Sequence, residues 1–225
     1  GWNSPATETA VYGGTAGITG TAPRNGDGSV ELTGPRSRFV LGSLYGYAGV
    51  PSMGSLSDMR SLTFDWQLAT DDVSNYSPDY TPALRFTIFD GTSRKELIWE
   101  GVYNGTYGNT TKGTWYTSGV NDKFYITGGT GNDGKSIADW ASDGTLAGYN
   151  VIGVSAGHGG GAGTGFHAFV DNITVAGVNG TTTYNFNVTD PVSAVPEPAS
   201  WAMLIGGFGV MGGTLRTRAR KVRFA

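Results

Sequence analysis

Residues 128–136, GGTGNDGKS, hold two overlapping chemical patterns. Gly129, Gly134, Lys135 and Ser136 satisfy GxxxxGK[ST], the spacing of a loop whose backbone amides cradle phosphate. That chemistry needs a long helix after the loop and a parallel α/β sheet beside it, and the flanking sequence signals neither. Gly128, Gly129, Gly131 and Asp133 also fit one GGxGxD calcium repeat. Such repeats act in stacks; this one occurs singly, with Lys135 where an apolar residue belongs. An exposed turn is the reading carried forward.

A second candidate is FVDNITV, where Asp171 and Asn172 could offer a carboxylate and an amide oxygen to a structural Ca²⁺. Calcium takes about 6–8 oxygens, so the other ligands would come from distant loops. The alternative is a polar pair that caps a strand end by hydrogen bonds to a neighbouring turn. No other cofactor is expected. His158 and His167 lack any His-x-x-x-His or Glu-x-x-His context and read as a loop residue and a strand surface residue. Gly-x-Ser-x-Gly does not occur. Asp65, Asp90, Glu96, Glu100 and Asp171 all lie in or beside expected strands. Glu96 and Glu100 share a face but sit about 13 Å apart along it, beyond the roughly 5–10 Å of a glycoside-hydrolysing pair. These carboxylates read as solvated outer-face groups, and no catalytic residue is assigned. Trp99, Tyr103, Tyr107, Trp115, Tyr116 and Tyr125 crowd the middle of the chain. Trp99, Tyr103, Trp115 and Tyr116 are candidates to stack on sugar faces if a concave surface exposes them, with ordinary packing as the alternative.

The elements that must position these residues read as strands. Leu62, Phe64, Trp66 and Leu68 alternate with Thr63, Asp65 and Gln67, a period of two with one buried face. Leu84, Phe86 and Ile88 repeat the pattern against Arg85 and Thr87. Further strands are expected at 96–100, 114–118, 123–127, 150–156, 166–175 and 183–188, with Asn-Gly and Asp-Gly turns between several. One short helical turn is expected over 136–141. The pattern predicts an all-β, jelly-roll-like β-sandwich over residues 1–190, followed over 191–225 by a linker, a short hydrophobic helix and a basic tail.

The 225 residues include 38 glycines and no cysteine, which excludes disulfides, thiolate catalysis and thiolate metal sites. Net charge is −3, but Arg216, Arg218, Arg220, Lys221 and Arg223 sit within the last ten residues. Residues 1–215 carry 18 acidic against ten basic groups, a net charge of −8. An acidic body argues against nucleic acid as a partner.

The closing stretch combines Pro196-Glu197-Pro198, Trp201-Ala202, an apolar run from Trp201 to Leu215 with five glycines, and the basic cluster. Fifteen residues fall short of the roughly 20 of a full bilayer span. Local thinning and snorkelling of the arginines would let the run insert, with the basic end cytoplasmic. In order and spacing these elements resemble the PEP-CTERM sorting signal in its PEPxxWA form. The resemblance implies an exported protein of a Gram-negative, exopolysaccharide-producing bacterium, with a leader preceding Gly1. It also implies transient inner-membrane anchoring, processing near Pro196–Pro198 by an exosortase, and a final place at the cell surface or in the extracellular matrix. LSDMRSLTFDWQL, LIWEGVYNG, ADWASDG and GFHAFVDNITV with TYNF resemble, more loosely, the concanavalin- or laminin-G-like sandwich that precedes such tails. The expected function is a non-catalytic module that binds exopolysaccharide. The alternatives are a polysaccharide hydrolase or lyase on the same sandwich, or a purely structural matrix protein.

Overall fold

A computed structural model describes residues 1–5 and 13–189. Chain contacts separate a unit Gly1–Val188 from Thr189–Ala225. The expected linker, membrane helix and basic tail of 191–225 lie outside the described residues, among which no helix is long and apolar enough to cross a membrane.

Twelve strands make the body: β1 Thr15–Thr19, β2 Ser29–Thr33, β3 Arg38–Gly42, β4 Gly54–Ser55, β5 Met59–Leu68, β6 Ala83–Phe89, β7 Arg94–Trp99, β8 Tyr116–Thr117, β9 Phe124–Ile126, β10 Asn150–Gly157, β11 His167–Gly177 and β12 Gly180–Tyr184. They form two six-stranded sheets. One runs β1-β2-β11-β5-β8 with β12 also on β11; the other runs β3-β10-β6-β7-β9 with β4 also on β10. Every strand pairing is antiparallel. The phosphate-loop pattern therefore lacks the parallel sheet it needs. Its Ser136 instead caps the helix α1, Ile137–Ala141, whose Ile137 and Trp140 are buried.

The two sheets pack face to face through the alternating apolar positions. Leu62, Phe64, Trp66 and Leu68 of β5 meet Leu84, Phe86 and Ile88 of β6 and Leu97 and Trp99 of β7 in one core. Phe64 meets Trp99 edge-on at 5.1 Å between ring centroids. Each such side chain contributes about 1.5–3 kcal/mol by leaving water.

The period-two reading of β6 misses one fact: the strand is buried on both faces. Arg85 and Thr87, expected to face water, are 3% and 0% exposed. The reading of the carboxylates as solvated is likewise corrected, since Asp65, Glu96 and Asp171 are all buried. Alternation shows that two faces differ; it does not show that the polar one stays wet. Strands β1–β3 are further additions. They are only five residues each; β1 pairs with β2, while β2 and β3 pair with β11 and β10, which come from much later in the chain.

Candidate functional site

At one end of the β3-β10-β6-β7-β9 sheet a cleft of about 270 Å³ opens. Its walls come from the start of β6 (Ala83), the turn after β7 (Glu100–Tyr103), the residues after β10 (His158, Gly159) and the β5–β6 loop (Tyr76–Thr81), with Tyr107 at its rim. Four tyrosines face it. Tyr76, Tyr107 and Tyr103 are 79%, 69% and 41% exposed, and Tyr80 is half-buried. Exposed aromatic rings around a concavity that also holds Asp79, Glu100 and His158 are this body's most chemically distinctive surface feature.

Local sequence explains the placement. After β7, Gly101–Asn104 makes a single 3₁₀ turn that ends at Gly105 in the left-handed region, φ 82°. Asn104 locks this turn to β9: its amide donates to the carbonyls of Glu100 (3.1 Å) and Lys123 (3.0 Å), and its Oδ1 accepts from the Lys123 N–H (2.8 Å). The two loops of the cleft are joined where Asp79 Oδ1 accepts from the Gly108 N–H at 2.7 Å. Tyr76 stacks on Tyr80 at 6.5 Å, Tyr80 meets His158 edge-on at 5.8 Å, and Tyr103 meets Tyr125 edge-on at 5.7 Å. Gly131 backs Tyr103 so closely that a Cβ there would overlap the ring. The GGTGNDGKS stretch thus shapes the cleft wall rather than forming an idle turn.

The electrostatics follow from burial. His158 lies in the loop that follows β10, as its sequence context suggested, yet it is only 1% exposed. Burial, then its Gly34 partner and nearby Arg85 and Arg38, set its basicity, and the net effect pushes its pKa down to about 4. The ring is neutral; Nε2–H donates to the Gly34 carbonyl at 3.0 Å, and Nδ1 is enclosed by the protein. Burial, reinforced by Glu100, raises the Tyr80 phenol. The Tyr125 hydroxyl donates to Glu100 at 2.8 Å, and burial with that bond raises it too. Arg85, fully enclosed, falls to about 10, first through burial and then through Arg38, and stays cationic. Burial alone would raise Glu96, but Arg38, Arg85 and Arg94 outweigh it and hold the carboxyl below its ordinary range.

Of the four rings expected to stack on sugar, only Tyr103 lies in the cleft. Trp99 is 2% exposed, packed in the core with its Nε1–H on Asp122 at 2.7 Å, and offers no face to a ligand. Tyr116 stacks on Trp66 at 4.7 Å, and Trp115, half-buried, lies 5.7 Å from the Arg24 guanidinium. Those two belong with β8 at the edge of the other sheet. Tyr76, Tyr80, Asp79 and His158 were not singled out as site residues. The run SNYSPDYTP contained the signal, because polar turn residues with two tyrosines make a poor core and a plausible rim.

Asp171 and Asn172 sit at a bulge in β11, Asn172 at φ 49°. The Asp171 carboxylate accepts backbone N–H groups from Asn25 (3.3 Å), Asn172 (2.8 Å) and Phe186 (3.0 Å). Asn172 turns its amide N–H₂ toward Asp65 at 2.9 Å, where Arg24 Nε also donates at 3.0 Å. The arrangement ties three chain segments together. Among the described residues no group of three or more His, Asp or Glu side chains could hold a metal ion.

Pro196, Glu197, Pro198, Trp201 and Ala202, and the basic Arg216, Arg218, Arg220, Lys221 and Arg223, lie outside the described residues. The profile of the PEP-CTERM protein-sorting motif matches residues 194–221. The motif supports an exported protein that is anchored in a membrane and processed by an exosortase. No curated protein matches the chain.

Proposed function

We propose that the chain is an exosortase-sorted surface or matrix protein of a Gram-negative bacterium whose β-sandwich binds exopolysaccharide, without catalysis, in the tyrosine cleft. The observation that carries this reading is the ring of partly exposed Tyr76, Tyr80, Tyr103 and Tyr107 around a cavity that also offers Asp79 and Glu100. Sugar rings present apolar C–H faces to aromatic rings and hydroxyls to carboxylates, so this pairing suits a saccharide better than an apolar ligand. The sorting motif supports export, which is consistent with a ligand met outside the cytoplasm. Binding of the purified protein to matrix polysaccharide oligomers tests it. Tyr103→Ala and Tyr107→Ala should each weaken binding about tenfold, as loss of about 1.4 kcal/mol of stacking would. No retention of any saccharide by the intact protein would reject the reading.

A lyase is the second reading, favoured by one observation. The neutral His158 ring lies edge-on 5.8 Å from Tyr80, whose raised pKa keeps it a proton donor. A neutral base beside a protonated phenol is the pair a β-elimination needs. Release of unsaturated, ultraviolet-absorbing sugar ends during incubation with a polyuronate would favour it; a flat trace favours binding alone.

A further inference from the structure

Two carboxylates reach the tyrosine cleft from two of its walls, Asp79 from the β5–β6 loop and Glu100 from the residue after β7. Both are part-exposed. Each has one oxygen fixed by the protein. Asp79 Oδ1 accepts from the Gly108 N–H at 2.7 Å, and Glu100 Oε1 accepts from the Tyr125 hydroxyl at 2.8 Å. A carboxylate has about four acceptor positions, so both retain capacity for a ligand. The charge of Glu100 is felt within the cleft, where it reinforces burial in raising the Tyr80 phenol.

No cation answers them at the opening. Among the described residues that line it none is Lys or Arg, and His158 is neutral. Arg85 lies behind the wall, 3% exposed, with Nη1 on the Gly157 carbonyl at 3.3 Å. Its field reaches Glu100 from within the protein, yet it lines no part of the cleft and offers a ligand no donor. A concavity with two carboxylates and exposed rings therefore favours positive charge. A metal ion is the wrong kind of charge: calcium takes about 6–8 oxygens, and among the described residues no group of three or more His, Asp or Glu side chains could hold one. An organic ammonium suits both features. Its three N–H donors meet carboxylate oxygens, and its charge is attracted to tyrosine faces within about 6 Å. Beyond the cleft, residues 1–215 carry a net charge of −8, which draws a polycation to the body and repels a polyanion.

Resting on the saccharide reading of the cleft, we infer that its ligand is a cationic amino sugar, a polysaccharide whose hexosamine units carry free ammonium groups. The ammonium donates to Asp79 and Glu100, and the C–H faces of the sugar rings lie on Tyr76, Tyr80, Tyr103 and Tyr107. N-acetylation of the sugar removes the charge and two of the three N–H donors. A uronate brings like charge against both carboxylates.

The test compares four ligands of equal length on the full chain by calorimetry: a glucosamine oligomer, its fully N-acetylated form, a polyuronate and oligolysine. Mildly acidic buffer keeps the sugar amine protonated. The glucosamine oligomer should bind about tenfold more tightly than the N-acetylated form, and the uronate most weakly. The double variant Asp79→Asn, Glu100→Gln should bring the two glucosamine forms within about twofold of each other. Both changes conserve shape, and the amide oxygens can still accept from Gly108 and Tyr125, so the thermal midpoint should hold. The comparison on the unaltered chain decides the matter even if that variant fails to fold. Equal binding of both glucosamine forms, or tighter binding of the uronate, would overturn the amino-sugar assignment while the saccharide cleft stands. A preference that survives the double variant would place the attraction in the acidic body and overturn the assignment to Asp79 and Glu100. Oligolysine bound as tightly as the glucosamine oligomer would show that charge alone is read and would overturn the sugar class. Binding of no saccharide would overturn both this inference and the reading it rests on.

Discussion

His158 shows how burial changes a side chain's chemistry. Its folded pKa of about 4 lies below the ordinary value of 6.5. Between those values the unfolded chain takes up a proton that folded His158 refuses, so stability is full above about pH 6.5 and falls as pH drops toward 4. For a shift of this size the loss is at most about 3 kcal/mol. His158→Gln, whose amide can still donate to the Gly34 carbonyl, should remove that slope. Urea midpoints of the two proteins at pH 7 and pH 4.5 measure it. Parallel losses in both would show that His158 is not the group responsible. His167 contrasts with it: its ring nitrogens lie 2.7 Å from Asp71 and 2.8 Å from Glu31, joining β11 to β2 and to the β5–β6 loop. Two histidines without motif context thus have opposite surroundings, and only spatial neighbours separate them.

At the level of elements, the β9–α1 connection decides where the cleft wall stands. Gly131 is not in the left-handed region, so its backbone accepts alanine, but the added Cβ would overlap the Tyr103 ring. Gly131→Ala should therefore displace Tyr103 and weaken saccharide binding about threefold to tenfold. Its cost in stability should stay within about 1 kcal/mol. Gly128 is the control: it has open space around its Cβ position but φ +89°, so Gly128→Ala should strain the turn by about 1 kcal/mol and leave binding unchanged. Calorimetric binding and thermal midpoints on both variants separate the two effects. Opposite results, with Gly128→Ala losing binding and Gly131→Ala not, would remove that turn from the site. Elsewhere the match is uneven: β1–β4 were not expected, and the strand expected at 183–188 lies at Gly180–Tyr184 as β12. β5 and β6 were legible because large apolar residues recur at every second position. α1 was legible because Ser136 accepts the Asp139 N–H at 3.2 Å ahead of Ile137 and Trp140.

For the whole molecule, sorting predicts a change of charge as well as of mass. Cleavage near Pro196–Pro198 would remove the apolar run and all five basic residues of the tail. The remaining body has ten basic groups and 18 acidic ones, or 17 if the cut falls before Glu197, so net charge moves from −3 to −8 or −7. Isoelectric focusing and intact mass of the exported protein should both register this. A Glu197→Ala chain should keep its full mass and its less acidic isoelectric point. An exported wild-type protein that retains Ala225 would reject processing. The site asks the same of scale: the cleft draws on residues from 76 to 159.

The amino-acid sequence by itself determined the all-β architecture, several of its strands and the sorting motif, because each is written in local order. Alternation reports a pleated surface, and PEP, WA and the arginine cluster are recognised at fixed spacing. Tertiary structure alone decided which aromatics meet, since Trp99 entered the core while Tyr76 and Tyr103, from separate loops, came to one opening. It also decided that Arg85, Glu96 and Asp171 are buried. A residue's exposure depends on what packs over it, and here Arg38, 58 positions away from its partner Glu96, lies across the sheet. No pattern along the chain encodes that crossing, because the strands that bring those two side chains together pair through register and not through neighbouring sequence.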